Sequence, residues 1–218
     1  MSSNNNFFFV GPTAAGCANL ESALSDFTIL PPVKRGDISN CVRSTHPGII
    51  VIVDGMFHSC PSVGHAELRD AMKNGWTIWG LSSLGAIRAC EMKEFGMKGF
   101  GQVYERYLQD DDFQDDEVAL LHGPLPPYPA FTEPLIHLRA ALTELEKQAQ
   151  LTPKASAQII QHLKSLWYGK RTLSAFMKLV LDECPSSRAE TILANFEPFR
   201  LKNQDLRNFL ELRPWTRF

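Results

Sequence analysis

Three observations predict an α/β fold: a mostly parallel sheet flanked by helices, followed by a C-terminal all-helical part. Short apolar runs alternate with helix-period segments four times in the first hundred residues, as parallel strands joined by crossover helices require. The strongest run, GIIVIV at 48–53, is β-branched and continuously apolar, as a strand covered on both faces must be. Beyond Pro124, Pro126, Pro127 and Pro129, every segment carries helical spacing. That proline-rich stretch reads as a stiff linker, so the expected division is an α/β core at 1–130 and a helical region at 131–218.

Phe7 to Val10 reads as the first strand, broken by Gly11-Pro12-Thr13, with a helix over Ala14 to Leu24. Phe27 to Leu30 is a second strand, closed by Pro31-Pro32. The loop Val33-Lys34-Arg35-Gly36 leads to Asp37, which can cap a short helix through Val42. Asp54-Gly55 ends the strongest strand, and Ala66 to Lys73 is helical. Trp76 to Gly80 is a strand that stops at Leu81-Ser82-Ser83, and a helix starts at Leu84. From Gly96 the pattern changes to glycines and an amphipathic turn or two. In the second part, Thr132 can cap a helix to about Gln148, and Thr152-Pro153 opens the next. A third runs from Leu173 to Leu181. Ser187 with Glu190 forms a capping box, and Asn203 is placed to cap the last helix.

The predicted carboxyl ends of the strands are Gly11-Pro12-Thr13, Lys34-Arg35-Gly36, Asp54-Gly55 and Ser82-Ser83. Function collects beyond those ends in such sheets, which brings a lysine, an aspartate and a serine to one edge. At a strand-to-helix corner, first-turn N–H groups and the helix dipole favour negative charge near a serine hydroxyl. Ser83-Leu84-Gly85 is half of a nucleophile-elbow pattern, but Leu81 stands where its first glycine belongs. A plain N-cap is the competing account of this serine.

A net charge of −2 gives no global attraction to nucleic acid or a membrane surface, and no apolar run reaches the roughly 20 residues a spanning helix needs. The N-terminal stretch lacks the basic and long apolar regions of a signal peptide. Five scattered cysteines without a C-x-x-C pair fit free thiols in a reducing cytoplasm. Neither nucleic acid nor membrane is therefore expected as a partner.

Three sites follow from residue chemistry. Ser83 could be a nucleophile with Lys34 as base, provided burial or the neighbouring Arg35 lowers the lysine's pKa; otherwise Lys34 and Arg35 are a solvated pair. His58, Cys60, His65 and Asp54 carry zinc-type ligands, but their spacing matches no common module. Gly11-Pro12-Thr13 could receive an anion at the following helix, though it lacks a P-loop lysine. The acidic run at 110–117 could hold Mg²⁺, but reads better as a solvated face. No metal and no cofactor is expected.

Four runs, FVGPT at 9–13, PPVKRGD at 31–37, IVDGMF at 52–57 and GLSSLGAIRACEM at 80–92, resemble the TfuA family of proteins encoded beside YcaO enzymes. The later GMKGFGQVYERY and DDEVALLHGP also match, so the resemblance covers about residues 7 to 123. It implies an accessory role in peptide backbone thioamidation, with three partners. These are a YcaO protein, a thiocarboxylated sulfur carrier of the ThiS type, and a precursor peptide or protein substrate. It implies hydrolysis of the carrier's thiocarboxylate by a Ser–Lys pair, which maps onto Ser83 and Lys34, with Ser82 as the less favoured serine. On that reading Leu84 and Gly85 N–H groups hold an oxyanion, and Arg88 holds an anionic group of the carrier tail. Asp54 orients Lys34, and Gly36, Gly55 and Gly85 line a narrow channel. Arg88 and Glu91 could equally form an exposed i,i+3 pair. A non-catalytic adaptor and a zinc-dependent hydrolase are the competing classes.

Overall fold

The computed structural model describes residues 5–56, 60–110 and 113–217. The chain forms two compact units: one runs to Phe113 and resumes at Lys202, and the other is Gln114–Leu201.

The first unit holds five parallel strands, β1 (Phe7–Phe9), β2 (Thr28–Leu30), β3 (Ile49–Ile52), β4 (Thr77–Leu81) and β5 (Lys98–Phe100), in the order β2-β1-β3-β4-β5. Phe8 pairs with Ile29 on one side and Val51 on the other, and Val51 pairs with Trp79. The direction of strand succession reverses between β1 and β3, so a crevice opens beyond their carboxyl ends. The intervening helices are α1 (Leu20–Ala23), α2 (Asp37–Ser44), α3 (His65–Lys73), α4 (Leu84–Glu91) and α5 (Gln102–Gln109).

The predicted parallel α/β sheet and the helical part that follows are both present. Two elements differ. The helix expected over Ala14 to Leu24 shrinks to α1, because Gly16 takes a left-handed φ of 78° and ends the short turn after Gly11. The unpredicted β5 is a three-residue K-G-F edge strand, too short and glycine-rich to show a period of two.

The second unit packs α6 (Leu135–Lys147), α7 (Pro153–Ser165), α8 (Leu173–Glu183) and α9 (Ser187–Ala194) around one core. Leu138, Leu142, Leu163, Phe176, Val180 and Leu193 meet there. Thr152 and Thr172 cap α7 and α8 as their N-terminal hydroxyls accept from Ala155 and Ala175. The cap of α9 is Ser186 rather than Ser187. Thr132 caps nothing; its hydroxyl accepts the Leu121 N–H at 2.8 Å, inside a loop closed by Gly123 to Pro129 and Phe131 to Leu121 bonds. The prolines therefore sit in a pinned loop of the second unit, not in a free linker, and the division falls at 113/114 instead of 130. The acidic run is only partly a solvated face where it is described, with Asp115 exposed. Glu117 is fully buried and bonded twice by Arg139, and Asp116 pairs with buried Arg171 at 2.6 Å. Asp111 and Asp112 lie outside the described residues.

The last helix, α10 (Leu201–Leu212), carries the larger correction to the 131–218 expectation. From Lys202 it belongs to the α/β unit. Its Phe209 ring lies 5.7 Å from Trp79, 5.2 Å from Phe100 and 4.9 Å from Trp215. Leu206 and Phe209 are fully buried against the sheet residues Phe8, Val51 and Leu81. Each such side chain contributes about 1.5–3 kcal/mol by leaving water. Apolar spacing alone could not tell a helix that covers a distant sheet from one that joins its sequence neighbours.

Candidate functional site at the serine corner

Strand β4 lies between β3 and β5, and its end is tightly constrained. Ser82 takes φ 63°, a conformation rare for a residue with a side chain. The Ser83 N–H donates to the Leu81 carbonyl at 2.7 Å, closing a three-residue turn around Ser82. Such strain costs on the order of 1–3 kcal/mol and needs surrounding structure to hold it. That support comes from α10: the Ser82 hydroxyl, 0% exposed, donates to the Lys202 carbonyl at 2.9 Å.

Ser83 follows at the N-cap of α4, 3% exposed. Its hydroxyl does not bond the helix's first turn, so it is no conventional cap, and it makes no hydrogen bond among the described residues. The elbow pattern is thus split between two serines, with Gly80 two before Ser82 and Gly85 two after Ser83. Those glycines let α4 lie on the strands backbone to backbone. A Cβ on Gly85 would sit 1.8 Å from the Ile52 carbonyl oxygen, and one on Gly80 2.0 Å from that of Gly85.

This packing removes parts of the expected site. The Gly85 N–H donates to the Val53 carbonyl at 3.2 Å, which leaves Leu84 as the first-turn donor that its own helix cannot satisfy. The expected glycine channel is closed at two of its three positions: Gly85 faces Ile52, and the Leu84 side chain fills the space above Gly55.

Asp54, 2% exposed, does not reach Lys34. Its Oδ2 accepts the Gly11 N–H at 2.8 Å and the Thr13 N–H at 3.0 Å, and its Oδ1 accepts the Thr13 hydroxyl at 2.6 Å. It ties the end of β3 to the loop after β1 across the crevice. The Gly11 loop therefore offers its donors to a carboxylate of the same chain and is no open anion cradle.

Lys34 and Arg35 are exposed, and neither side chain makes a hydrogen bond or ion pair among the described residues. Their loop does reach the edge, since the Val33 N–H donates to the Asp54 carbonyl at 2.9 Å. Arg88 is occupied: its Nε donates to the Val63 carbonyl at 3.0 Å and its Nη1 to Glu91 at 2.6 Å. Glu91 also meets His65 at 2.8 Å. The i,i+3 pair, not a free anion holder, is what the helix carries.

Two site residues on α10 escaped the sequence reading, and a third, Asn203, was expected only as a helix cap. Lys202 is 1% exposed. Asn203 caps nothing but donates to the carbonyls of Thr13 at 2.9 Å and Ala15 at 3.3 Å. Asp205 accepts the Gln102 N–H at 2.8 Å and the Val103 N–H at 2.9 Å, capping α5. Burial pushes the Asp205 carboxyl up to about 6, against the pull of those two bonds. The run Lys202-Asn203-Gln204-Asp205 opening an otherwise amphipathic helix was the available signal, but its partners lie about a hundred or more residues away.

Among the described residues no three His, Cys, Asp or Glu side chains gather as a metal-binding group; His58 lies outside them. No helix among them is long and apolar enough to cross a membrane.

Fold and corner define a parallel α/β protein with a strained double-serine turn at the end of an interior strand. The chain matches the model of the TfuA-like protein family over residues 54–172, more than half its length, and belongs to that family. The match takes in Asp54, Ser82, Ser83, Leu84, Gly85 and Arg88 and leaves out Gly11, Lys34, Arg35 and Lys202. No curated protein matches the chain. Among solved structures, full-length FixJ from B. japonicum aligns at 16% identity over 96% of each chain with a TM-score of 0.29, a likeness that carries no argument about this fold.

Proposed function

We propose that the chain, whose family membership supports an accessory role beside YcaO enzymes in peptide thioamidation, hydrolyses the thiocarboxylate of a ThiS-like sulfur carrier at Ser83, releasing sulfide for the YcaO reaction on a precursor peptide. One observation carries this reading: Ser83 is nearly buried at a strained corner, yet its hydroxyl neither caps the helix nor bonds another described group. A hydroxyl kept in reserve at a strand's carboxyl end is what acyl transfer needs.

In the reaction, Ser83 Oγ attacks the thiocarboxylate carbon as a base takes the hydroxyl proton. The Leu84 N–H stabilises the oxyanion. The C–S bond breaks, and the sulfur leaves with the proton as hydrosulfide. Water then cleaves the serine ester, giving the carrier carboxylate and free Ser83. Lys34 is the base implied by the family resemblance. Lys202 is the second candidate, because it is buried and its carbonyl accepts from Ser82, the residue next to the nucleophile.

A non-catalytic adaptor is the second reading. It is favoured by the engagement of Gly85 N–H, Asp54 and Arg88 within the chain, which leaves few groups for a reacting carrier. The test is to mix the purified protein with thiocarboxylated carrier, with and without YcaO and peptide, and follow carrier mass and sulfide. Wild type is expected to remove the sulfur and Ser83→Ala to abolish removal. Of Lys34→Ala and Lys202→Met, the variant lacking the base should fall by about 10²–10⁴-fold. Melting curves establish that each variant is folded. No turnover by wild type would leave the adaptor.

A further inference from the structure

The helical unit carries a second feature that the serine corner does not use. An open groove of about 430 Å³ runs between α6 and α7. Leu142 and Ile160 give it an apolar floor. Ser156 lines it at 5% exposure, and its hydroxyl has no hydrogen-bond partner among the described residues. A buried hydroxyl without a partner destabilises the free protein, so a groove that retains one calls for an acceptor from outside.

The groove is electrically polar. At one end Arg139 and Lys164 share the single carboxylate of Glu117, at 2.8 and 3.4 Å, which leaves one positive charge in excess. At the other end Glu146 makes no ion pair among the described residues. Arg139 and Glu146 are seven residues apart on α6, or about 10 Å along its axis. In a polyproline-II segment, with three residues per turn and about 3.1 Å per residue, residues i and i+3 lie on one face at about that distance. An extended backbone, unlike a helix, also has free carbonyls for the Ser156 hydroxyl.

We propose that this groove binds an extended peptide segment with an acidic and a basic residue three positions apart and apolar residues between them. The acidic side chain lies at Lys164, the basic one at Glu146, and a backbone carbonyl accepts from Ser156. The proposal is independent of chemistry at Ser83.

Fluorescence anisotropy of the full chain with a labelled peptide of core Asp-Leu-Leu-Lys tests it. Saturable binding at or below about 1 mM is expected, and a Lys-Leu-Leu-Lys core should bind at least about tenfold more weakly. Glu146→Lys should lose the first peptide and gain a core of Asp-Leu-Leu-Asp. Ser156→Ala should raise the melting temperature of the free protein while weakening the peptide several-fold, a combination that a merely structural serine would not give. No saturable binding of any of these peptides, or a Glu146→Lys variant with unchanged preferences, would overturn the proposal.

Discussion

Ser82 shows how one residue can carry conflicting demands. Its backbone is in the left-handed region, its side chain is buried, and its hydroxyl is spent on Lys202. Glycine would relieve the backbone and lose the bond; valine would lose the bond and worsen the backbone. Ser82→Gly is therefore expected to lie within about 1 kcal/mol of wild type, Ser82→Ala to cost about 1 kcal/mol, and Ser82→Val about 2–4 kcal/mol. Urea unfolding measures all three. If the valine variant were as stable as the alanine one, the strain would not be real. At this scale the sequence marked the corner and both serines, because a strand run, two small polar residues and a helix run are local signals. It offered the local Arg88–Glu91 pair but did not reveal that Gly85 and Asp54 are engaged, or that Arg88 also reaches Val63. Those partners, Val53, the Gly11 loop and Val63, are neighbours only once the sheet has formed.

Among the elements, α10 fastens the α/β unit at three places: the Ser82 turn, the loop after β1 and the start of α5. Asp205 makes the last of these pH-dependent. In the folded protein its carboxyl keeps a proton up to about pH 6, whereas unfolded aspartate releases it near 3.9. Between those values the folded state binds more protons, so stability falls as pH rises and is level outside the window. The contribution is at most about 3 kcal/mol. Asp205→Asn lacks it, so the melting temperature of wild type relative to this variant should drop between pH 4 and pH 7. A constant difference would mean that the two N–H bonds outweigh burial. The existence of α10 was legible from Leu206, Phe209 and Leu210. Its destination was not, since helical period says which face is buried but not what buries it.

The whole molecule responds to acid in two opposite ways. In the helical unit Glu133 is pushed up by burial, but His137 at 2.9 Å and Arg200 at 2.7 Å prevail and hold its carboxyl below the ordinary range. A lowered carboxyl adds stability that is present above its unfolded pKa and lost as pH falls through the folded one. Acid therefore withdraws support from the helical unit while Asp205 gains it in the α/β unit. Hydrogen exchange from pH 7 to pH 3 should show protection of β3 and α4 gaining between pH 6 and pH 4, and protection of α6 and α8 falling only below about pH 4.5. Uniform loss across both units would contradict this. The α/β class, the sheet edge and the all-helical segment were readable from the chain because alternation and period are repeated many times over. The division into units was not, because a segment that returns to its starting unit leaves no mark in local composition.

That return has a consequence for biosynthesis. The carbonyl that receives the Ser82 hydroxyl is made 120 residues after it, a delay on the order of ten seconds at ribosomal speed. Until then the sheet lacks the aromatic cover of Phe209 and Trp215, and the serine turn has no anchor. A nascent chain thus carries its sheet half-dressed while the whole helical unit is synthesised, and the corner is completed only as the last helix emerges.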